Sequence, residues 1–117
     1  MSSLGIVGYR GFTDYEKFSQ LVDEYIEEIG TPEFIISGGA KGADTMAEKY
    51  AQEHNIPTKI FKPDWDKYGK VAGIMRNTDI IQNSTHVIAF LSQKSIGTVD
   101  SINKAKKFNK VLKIIDV

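Results

Sequence analysis

The chain has 117 residues, which is enough for one domain and too few for two, so we expect residues 1–117 to form one domain. Fifteen basic residues balance fifteen acidic ones, which argues against nucleic acid as a partner because such binding draws on uncompensated positive charge. The chain contains no cysteine, which excludes disulfides and thiolate metal sites and is typical of the cytoplasm. The apolar run at the amino terminus is too short for a signal peptide and no stretch is long enough to span a bilayer, so we expect no membrane partner.

Apolar runs that alternate with helical patterns predict five strands and four helices. The first strand covers 4–9, and a capping box with Thr13 as its N-cap opens the first helix, which Gly30 and Pro32 end. The later elements are a strand over 34–36, a helix from about 42 that breaks at Asn55, a strand over 58–61, a loop over 62–69, a helix over 70–82, a strand over 85–91, a helix opened by the turn 95–98, and a strand over 111–117. The last two helices are expected to face the core with Val71, Ile74, Met75 and Thr78, and with Val99, Ile102, Ala105 and Phe108.

The strands are apolar nearly throughout, which predicts a parallel sheet covered by helices on both faces. We therefore expect an α/β fold, a Rossmann-like three-layer α/β/α sandwich with five parallel strands in the order 3-2-1-4-5. In that order the topological switch point lies between the first and fourth strands. Ligands of such sheets bind there, outside the carboxyl ends of the strands.

Four segments that follow strands converge on this edge of the sheet, and their convergence is the strongest functional signal in the sequence. They are 8–11, 37–44, 62–65 and 95–100. The segment 37–44 is a glycine-rich turn into a helix, whose free amides and positive dipole end suit phosphate; the alternative is a tight turn that needs glycine for its own dihedrals. It lacks the GK[ST] of a P-loop, and the first turn lacks G-x-G-x-x-G. Gly97 and Thr98 repeat the design, with helix capping by Ser95 or Thr98 as the alternative.

Three charged side chains are candidates for contact with a ligand. Arg10 follows the first strand and can bind phosphate bidentately, or it is an ordinary surface arginine. Arg76 shares a helical stripe with Gly69 and Gly73, apart from the core residues, so a solvated helix face is its alternative. Asp100 lies in the first turn of a helix, where a favourable contact with the helix dipole is the alternative.

The aromatic and histidine residues carry weaker signals. Tyr9, Trp65 and Tyr68 lie on predicted loops, where they either stack on a base or ribose or cover the edge of the core. His54 and His86 have no third ligand at metal spacing, so we expect no metal site. The candidate ligand- and phosphate-binding residues are Gly8, Tyr9, Arg10, Ser37, Gly38, Gly39, Ala40, Lys41, Gly42, Asp44, Asp64, Trp65, Asn77, Ser95, Gly97 and Thr98.

The motifs and their order resemble the SLOG superfamily. They are GYRGF at 8–12, SGGAKGAD at 37–44, PDW at 63–65 with YGK at 68–70, AGIMRN at 72–77 and SIGT at 95–98. More narrowly, the chain is similar to the short stand-alone members called cpYpsA-related or YspA-type, which occur in bacteria and phages. The resemblance spans nearly the whole chain. It implies a Rossmann-like fold that binds a nucleotide or a nucleotide-derived molecule without a cofactor, and relatives are often oligomers.

The superfamily also contains the Lonely Guy enzymes, which cleave the N-glycosidic bond of nucleoside 5′-monophosphates. Their PGGxGTxxE-type motif carries a catalytic glutamate, with a catalytic arginine upstream. Gly97 and Thr98 match this motif, the Pro-Gly-Gly is missing, and Asp100 and Arg76 stand about where the first acidic residue and the arginine would be, so the resemblance implies these two as catalytic residues. Three functions remain open: a phosphoribohydrolase, a non-catalytic module that senses or sequesters a signalling nucleotide, and, by analogy with DNA-processing protein A, single-stranded DNA binding, which the balanced charge disfavours.

Overall fold

The computed structural model describes residues 2–93 and 95–117. Its elements are β1 (Ser3–Gly8), α1 (Tyr15–Ile29), β2 (Phe34–Ser37), α2 (Ala43–Glu53), β3 (Thr58–Ile60), α3 (Trp65–Tyr68), α4 (Ala72–Gln82), β4 (His86–Leu91), α5 (Ile96–Lys107) and β5 (Val111–Asp116). A single 3-10 turn over Gly69–Val71 joins α3 to α4. Among the described residues, no helix combines the length and the apolar character that crossing a bilayer requires.

The sheet has the order β3-β2-β1-β4-β5 with every neighbouring pair parallel, which confirms the predicted topology. Helices α1 and α2 cover one face, where the rings of Phe18 and Phe90 pack with centroids 5.0 Å apart. Helices α4 and α5 cover the other face, where Ile80 and Ile102 belong to a second buried cluster. The order of the strands places the carboxyl ends of β1 and β4 side by side, at the switch point.

Helices cover both faces of the sheet, as predicted, and burial is deepest in the three central strands. β1, β2 and β4 are buried through most of their length. β3 and β5 each have one neighbour in the sheet, and most of their residues are exposed or half-buried. An outer strand can be apolar without being covered, because its free edge and its outermost side chains meet solvent.

Two local predictions are corrected at the helix starts. The N-cap of α1 is Asp14 rather than Thr13, because the Asp14 carboxylate accepts a hydrogen bond from the Lys17 amide at 3.1 Å. The predicted loop over 62–69 contains the one-turn helix α3, which Asp64 caps by accepting from the Lys67 amide at 3.1 Å. A helix of four residues is too short to show an apolar period, so only its cap could have indicated it.

The inward faces of α4 and α5 also differ from the prediction. In α4, Ile74 and Met75 are exposed, Thr78 is half-buried, and the buried stripe is formed by Ala72, Asn77, Ile80 and Ile81. Val71 lies in the 3-10 turn before α4 and is also exposed. In α5, the prediction is confirmed for Ile102 and Ala105, which are buried, and is wrong for Val99, which is exposed; Thr98 and Ser101 are buried as well. In both helices, polar residues that line the cavity, such as Asn77 and Ser101, occupy inward positions.

Candidate functional site

A cavity of about 600 Å³ opens at the carboxyl ends of β1 and β4, and all four predicted segments contribute to its wall together with α4. The predicted site residues that line it are Gly8, Tyr9, Arg10, Gly38, Gly39, Ala40, Asp44, Trp65, Arg76, Asn77, Ser95, Gly97 and Thr98. The two glycine-bearing turns therefore meet in one crevice, as their places after β2 and β4 predict.

Five predicted residues lie outside the wall of the cavity: Ser37, Lys41, Gly42, Asp64 and Asp100. Six further residues line it that were not among the candidates: Val7, Lys62, Pro63, Ile80, Ile96 and Ser101. Lys62 and Pro63 belong to the third converging segment, so their sequence position carried a signal. Ile96 belongs to the fourth segment and carried the same signal, whereas Ser101 is identifiable only from the orientation of α5.

The glycine-rich turn after β2 directs its amides onto an acidic side chain of the same turn. The amide of Ala40 donates to the Asp44 carboxylate at 3.1 Å, and Asp44 is only 7% exposed. Burial raises the pKa of Asp44, and the amides of Ala40 and Gly38 and the nearby Arg76 partly offset that rise. The amides that the sequence analysis suggested as a phosphate site therefore lie beside a buried carboxylate.

The start of α5 is different, because none of the described side chains caps it. The Ser95 hydroxyl donates to the Ser92 carbonyl at 2.6 Å and accepts from the Ser92 amide at 2.9 Å, which fixes the preceding turn. Ser95 is thus the N-cap residue of α5, as suggested, but neither its hydroxyl nor that of Thr98 makes a capping hydrogen bond. Gly97 and Thr98 line the cavity at the first turn of the helix, where amide hydrogens have no intrahelical acceptor.

Arg76 crosses the cavity from α4 rather than lying on a solvated helix face. Its Nη1 donates to the Gly38 carbonyl at 2.9 Å and its Nε donates to Asn77 Oδ1 at 3.0 Å. Position 38 must be glycine for this arrangement, because a Cβ there would collide with the guanidinium. Burial lowers the pKa of Arg76 and the nearby Arg10 lowers it further, while Asp44 opposes the change. The cavity thus contains two arginines and one buried carboxylate.

Asp100 is bonded to protein groups. Its Oδ2 accepts from Lys104 Nζ at 2.7 Å and from Asn77 Nδ2 at 3.1 Å. The same Asn77 amide donates to the Gly97 carbonyl at 3.3 Å, so Asn77 ties α4 to the first turn of α5. The carboxylate that the resemblance implies as catalytic therefore lies behind the wall of the cavity, next to a lysine.

The mouth of the cavity is formed by two exposed apolar side chains. Trp65 is 57% exposed and Ile96 is 87% exposed, and both line the cavity. The indole rests against α4 at Gly73, where an added Cβ would lie 3.3 Å from the ring. Tyr9 also lines the cavity, whereas Tyr68, His54 and His86 do not.

Comparisons with known proteins agree with this architecture. A model of the YspA, cpYpsA-related SLOG family matches residues 5–68. The Gene 61 protein of Mycobacterium phage D29 is 32% identical over 62% of this chain and 63% of its own length. DNA processing protein A from Streptococcus pneumoniae superposes with a TM-score of 0.76 at 19% identity, over 97% of this chain and 50% of its own. DNA processing protein A from Helicobacter pylori, in a structure that concerns its unique single-stranded DNA binding mode, superposes with a TM-score of 0.73 at 23% identity. The match covers 97% of this chain and 64% of that protein. The chain thus spans between half and two thirds of each relative.

Proposed function

The chain belongs to the YspA, cpYpsA-related SLOG family, and from this premise we propose that its cavity binds a nucleotide or a nucleotide-derived molecule through a phosphate group. The observation that carries the proposal is that Gly97 and Thr98, at the uncapped start of α5, line the same cavity as Arg10 and Arg76. Free helix amides and guanidinium groups are both suited to a phosphate. The volume of about 600 Å³ lies within the range of small-molecule sites.

The apolar mouth gives the ligand a direction. With the phosphate at the first turn of α5, a base would extend towards Trp65, which is exposed and lines the cavity from α3. Stacking of a base on an aromatic ring is worth about 1–3 kcal/mol. The polar end of the cavity therefore suits a phosphate and the mouth suits a planar base, which together describe a nucleotide.

The geometry supports binding better than cleavage. A glycosidase of the type considered above needs a carboxylate beside the reacting sugar carbon. Asp100 lies outside the wall of the cavity, where its Oδ2 is bonded to Lys104 and Asn77, so it would have to move into the cavity to reach a sugar bound there. We therefore favour a module that senses or sequesters a nucleotide over a phosphoribohydrolase.

Calorimetric titration with the four ribonucleoside 5′-monophosphates and with the matching nucleosides tests this function. We expect at least one monophosphate to bind about tenfold or more tightly than its nucleoside, because the nucleoside lacks the phosphate and cannot form the charge-assisted hydrogen bonds to it. Chromatography of the same mixtures should recover intact nucleotide. Equal affinity for nucleoside and monophosphate would contradict the assignment of a phosphate site. Accumulation of free base would instead support the phosphoribohydrolase.

Replacing Gly97 with alanine is expected to separate stability from binding. An added Cβ at Gly97 meets no protein atom within 4 Å, so relief of the glycine penalty should stabilise the fold by up to about 0.5–1 kcal/mol. The same methyl group stands beside an amide that faces the cavity, and we expect affinity for the preferred monophosphate to fall roughly tenfold because the phosphate can no longer approach closely. Thermal unfolding and calorimetric titration measure the two effects.

The matched control is Asn103→Ala, an exposed position on the same helix and outside the wall of the cavity. Like Gly97→Ala, this variant should raise the melting temperature, but it should leave the affinity for the monophosphate unchanged. Unchanged affinity in Gly97→Ala would show that the phosphate does not contact this turn.

The pH dependence of anion binding should report the charge of Asp44. Burial raises the pKa of this carboxyl, Glu48 raises it further, and Arg76 and the loop amides act against the rise. As the pH falls through this raised pKa, the cavity loses a negative charge, so sulfate, which stays doubly charged, should bind more tightly. The negative charge of Asp44 opposes a doubly charged anion in the same cavity, so we expect about a tenfold gain in affinity or more when that charge is neutralised. In Asp44→Asn the gain should be absent, and an identical pH profile in both proteins would contradict the prediction.

Single-stranded DNA binding is the second candidate. It is favoured by the Helicobacter pylori neighbour and by the exposed rings of Trp65 and Tyr68, which lie on a segment that also carries Lys62, Lys67 and Lys70. Exposed rings that alternate with lysines are typical of surfaces that bind single strands. Fluorescence anisotropy with a labelled single-stranded oligonucleotide decides between the candidates. A DNA-binding protein should raise the anisotropy, and this binding should weaken steeply with salt. A protein whose site takes only a free nucleotide should leave the anisotropy of the oligonucleotide unchanged.

A further inference from the structure

Asp44 is the only carboxylate that lines the cavity among the described residues. It is buried, and it belongs to the first turn of α2, across the crevice from α5. A carboxylate offers about four acceptor positions. The amide of Ala40 takes one of them, and the amide of Gly38 lies close enough to lower the pKa of the group. Acceptor capacity therefore remains for a ligand.

The negative charge of the Asp44 carboxylate makes one half of the cavity chemically different from the other. Near Asp44 a phosphate meets a negative charge and an amide that is already bonded, whereas near Gly97 and Thr98 the helix amides are uncapped. Arg76 lies between the halves, since it reaches the Gly38 carbonyl from α4. A ligand that fills both halves must carry its anion at the α5 side and an uncharged hydrogen-bond donor at the α2 side.

We propose that Asp44 accepts hydrogen bonds from the ribose hydroxyls of the bound nucleotide and so makes the site selective for ribonucleotides. This inference rests on the proposed function and names the second group that the site recognises. The 2′ and 3′ hydroxyls are donors that every ribonucleoside 5′-monophosphate carries on the sugar that bears its phosphate, whichever base it holds. A hydroxyl bonded to a buried carboxylate is a charge-assisted contact. A nucleotide without these hydroxyls would leave the carboxylate facing carbon.

The test compares each of the four ribonucleoside 5′-monophosphates with its 2′,3′-dideoxy counterpart by calorimetric titration of the wild-type protein. Sites that are built around a substrate hydroxyl discriminate strongly against analogues that lack it, and we expect the ribonucleotide to bind about tenfold or more tightly. In Asp44→Asn this preference should fall below about threefold, because the bond is no longer charge-assisted. Inorganic phosphate should bind the same variant more tightly than it binds the wild type.

Glu48→Gln is the matched control, because it removes an exposed carboxylate from the same helix and outside the wall of the cavity. The variant should keep the full preference for the ribonucleotide. Equal binding of ribo and dideoxy forms to the wild-type protein overturns the role of Asp44 and leaves the phosphate site standing, and this comparison requires no variant to fold. Failure of every monophosphate to bind overturns the proposed function itself.

Discussion

Replacing Arg76 with methionine is expected to lower affinity for a nucleoside monophosphate about a hundredfold. The guanidinium is the cation that enters the cavity from α4, and it bonds both Gly38 and Asn77. Its removal deprives the phosphate of a charge-assisted partner and leaves Asp44 without a neighbouring positive charge. Truncating one member of a buried charged pair costs about 2–5 kcal/mol, and the middle of that range corresponds to at least a hundredfold. Calorimetric titration measures the loss.

Two further variants separate charge from geometry at this position. Arg76→Lys keeps the positive charge but lacks the fork that serves two acceptors at once, so we expect an intermediate loss of about tenfold. Lys107→Met removes a positive charge from the exposed end of α5 and should leave affinity unchanged. If Arg76→Met binds as tightly as the wild-type protein, the phosphate does not contact the Arg76 guanidinium.

Replacing Gly42 with alanine is expected to cost about 2–6 kcal/mol of the free energy of unfolding. Gly42 has a φ of 78°, and a Cβ built on it lies 2.6 Å from the carbonyl oxygens of both Tyr9 and Arg10. Backbone strain of this kind costs about 1–3 kcal/mol, and forcing an extra carbon into a packed contact costs about 1–3 kcal/mol more. Because the displaced segment carries Arg10, the variant should also lose nucleotide affinity. Urea unfolding measures the first effect.

Gly30 offers a control with a similar dihedral angle and a different environment. Its φ is 89°, and an added Cβ there would meet no atom within 4 Å. Gly30→Ala should therefore show the backbone strain alone, about 1–3 kcal/mol, with binding retained. Equal losses in the two variants would mean that the contact between Gly42 and the Tyr9–Arg10 backbone has no energetic weight.

The arrangement of the sheet could be predicted from the sequence because it depends on patterns along the chain. Strands without polar interruptions alternate with helices, and such units leave few topologies. The faces of α4 could not be predicted in the same way. Ile74 and Met75 have the spacing of a core stripe, yet they are exposed, whereas Asn77 is buried. Hydrophobic periodicity cannot show that a helix turns polar residues towards a cavity, so it selected the wrong face.

The candidate site was predictable in position and less so in its chemistry. Segments that follow parallel strands must meet at one edge, so 37–44 and 95–98 were expected to converge there. The role of each glycine in the site depends on tertiary contacts. Gly38 leaves room for the Arg76 side chain and Gly42 leaves room for the Tyr9–Arg10 backbone, whereas an added Cβ at Gly97 would meet open space. The hydrogen bond from the Ala40 amide to the Asp44 carboxylate depends on the side-chain rotamer of Asp44, which the sequence does not show. The pairing of Asp100 with Lys104 follows an i,i+4 spacing that can be seen in the sequence.

Asn77 has a consequence for how such a chain can diverge over time. Its carbonyl oxygen serves Arg76, and its nitrogen serves both Asp100 and the backbone of Gly97. Aspartate there could not donate, and leucine could do neither. A substitution at residue 77 alone would therefore remove hydrogen bonds from residues 76, 97 and 100 together, so we expect positions 76, 77 and 100 to vary jointly among relatives, and the exposed residues Ile74 and Met75 to vary independently.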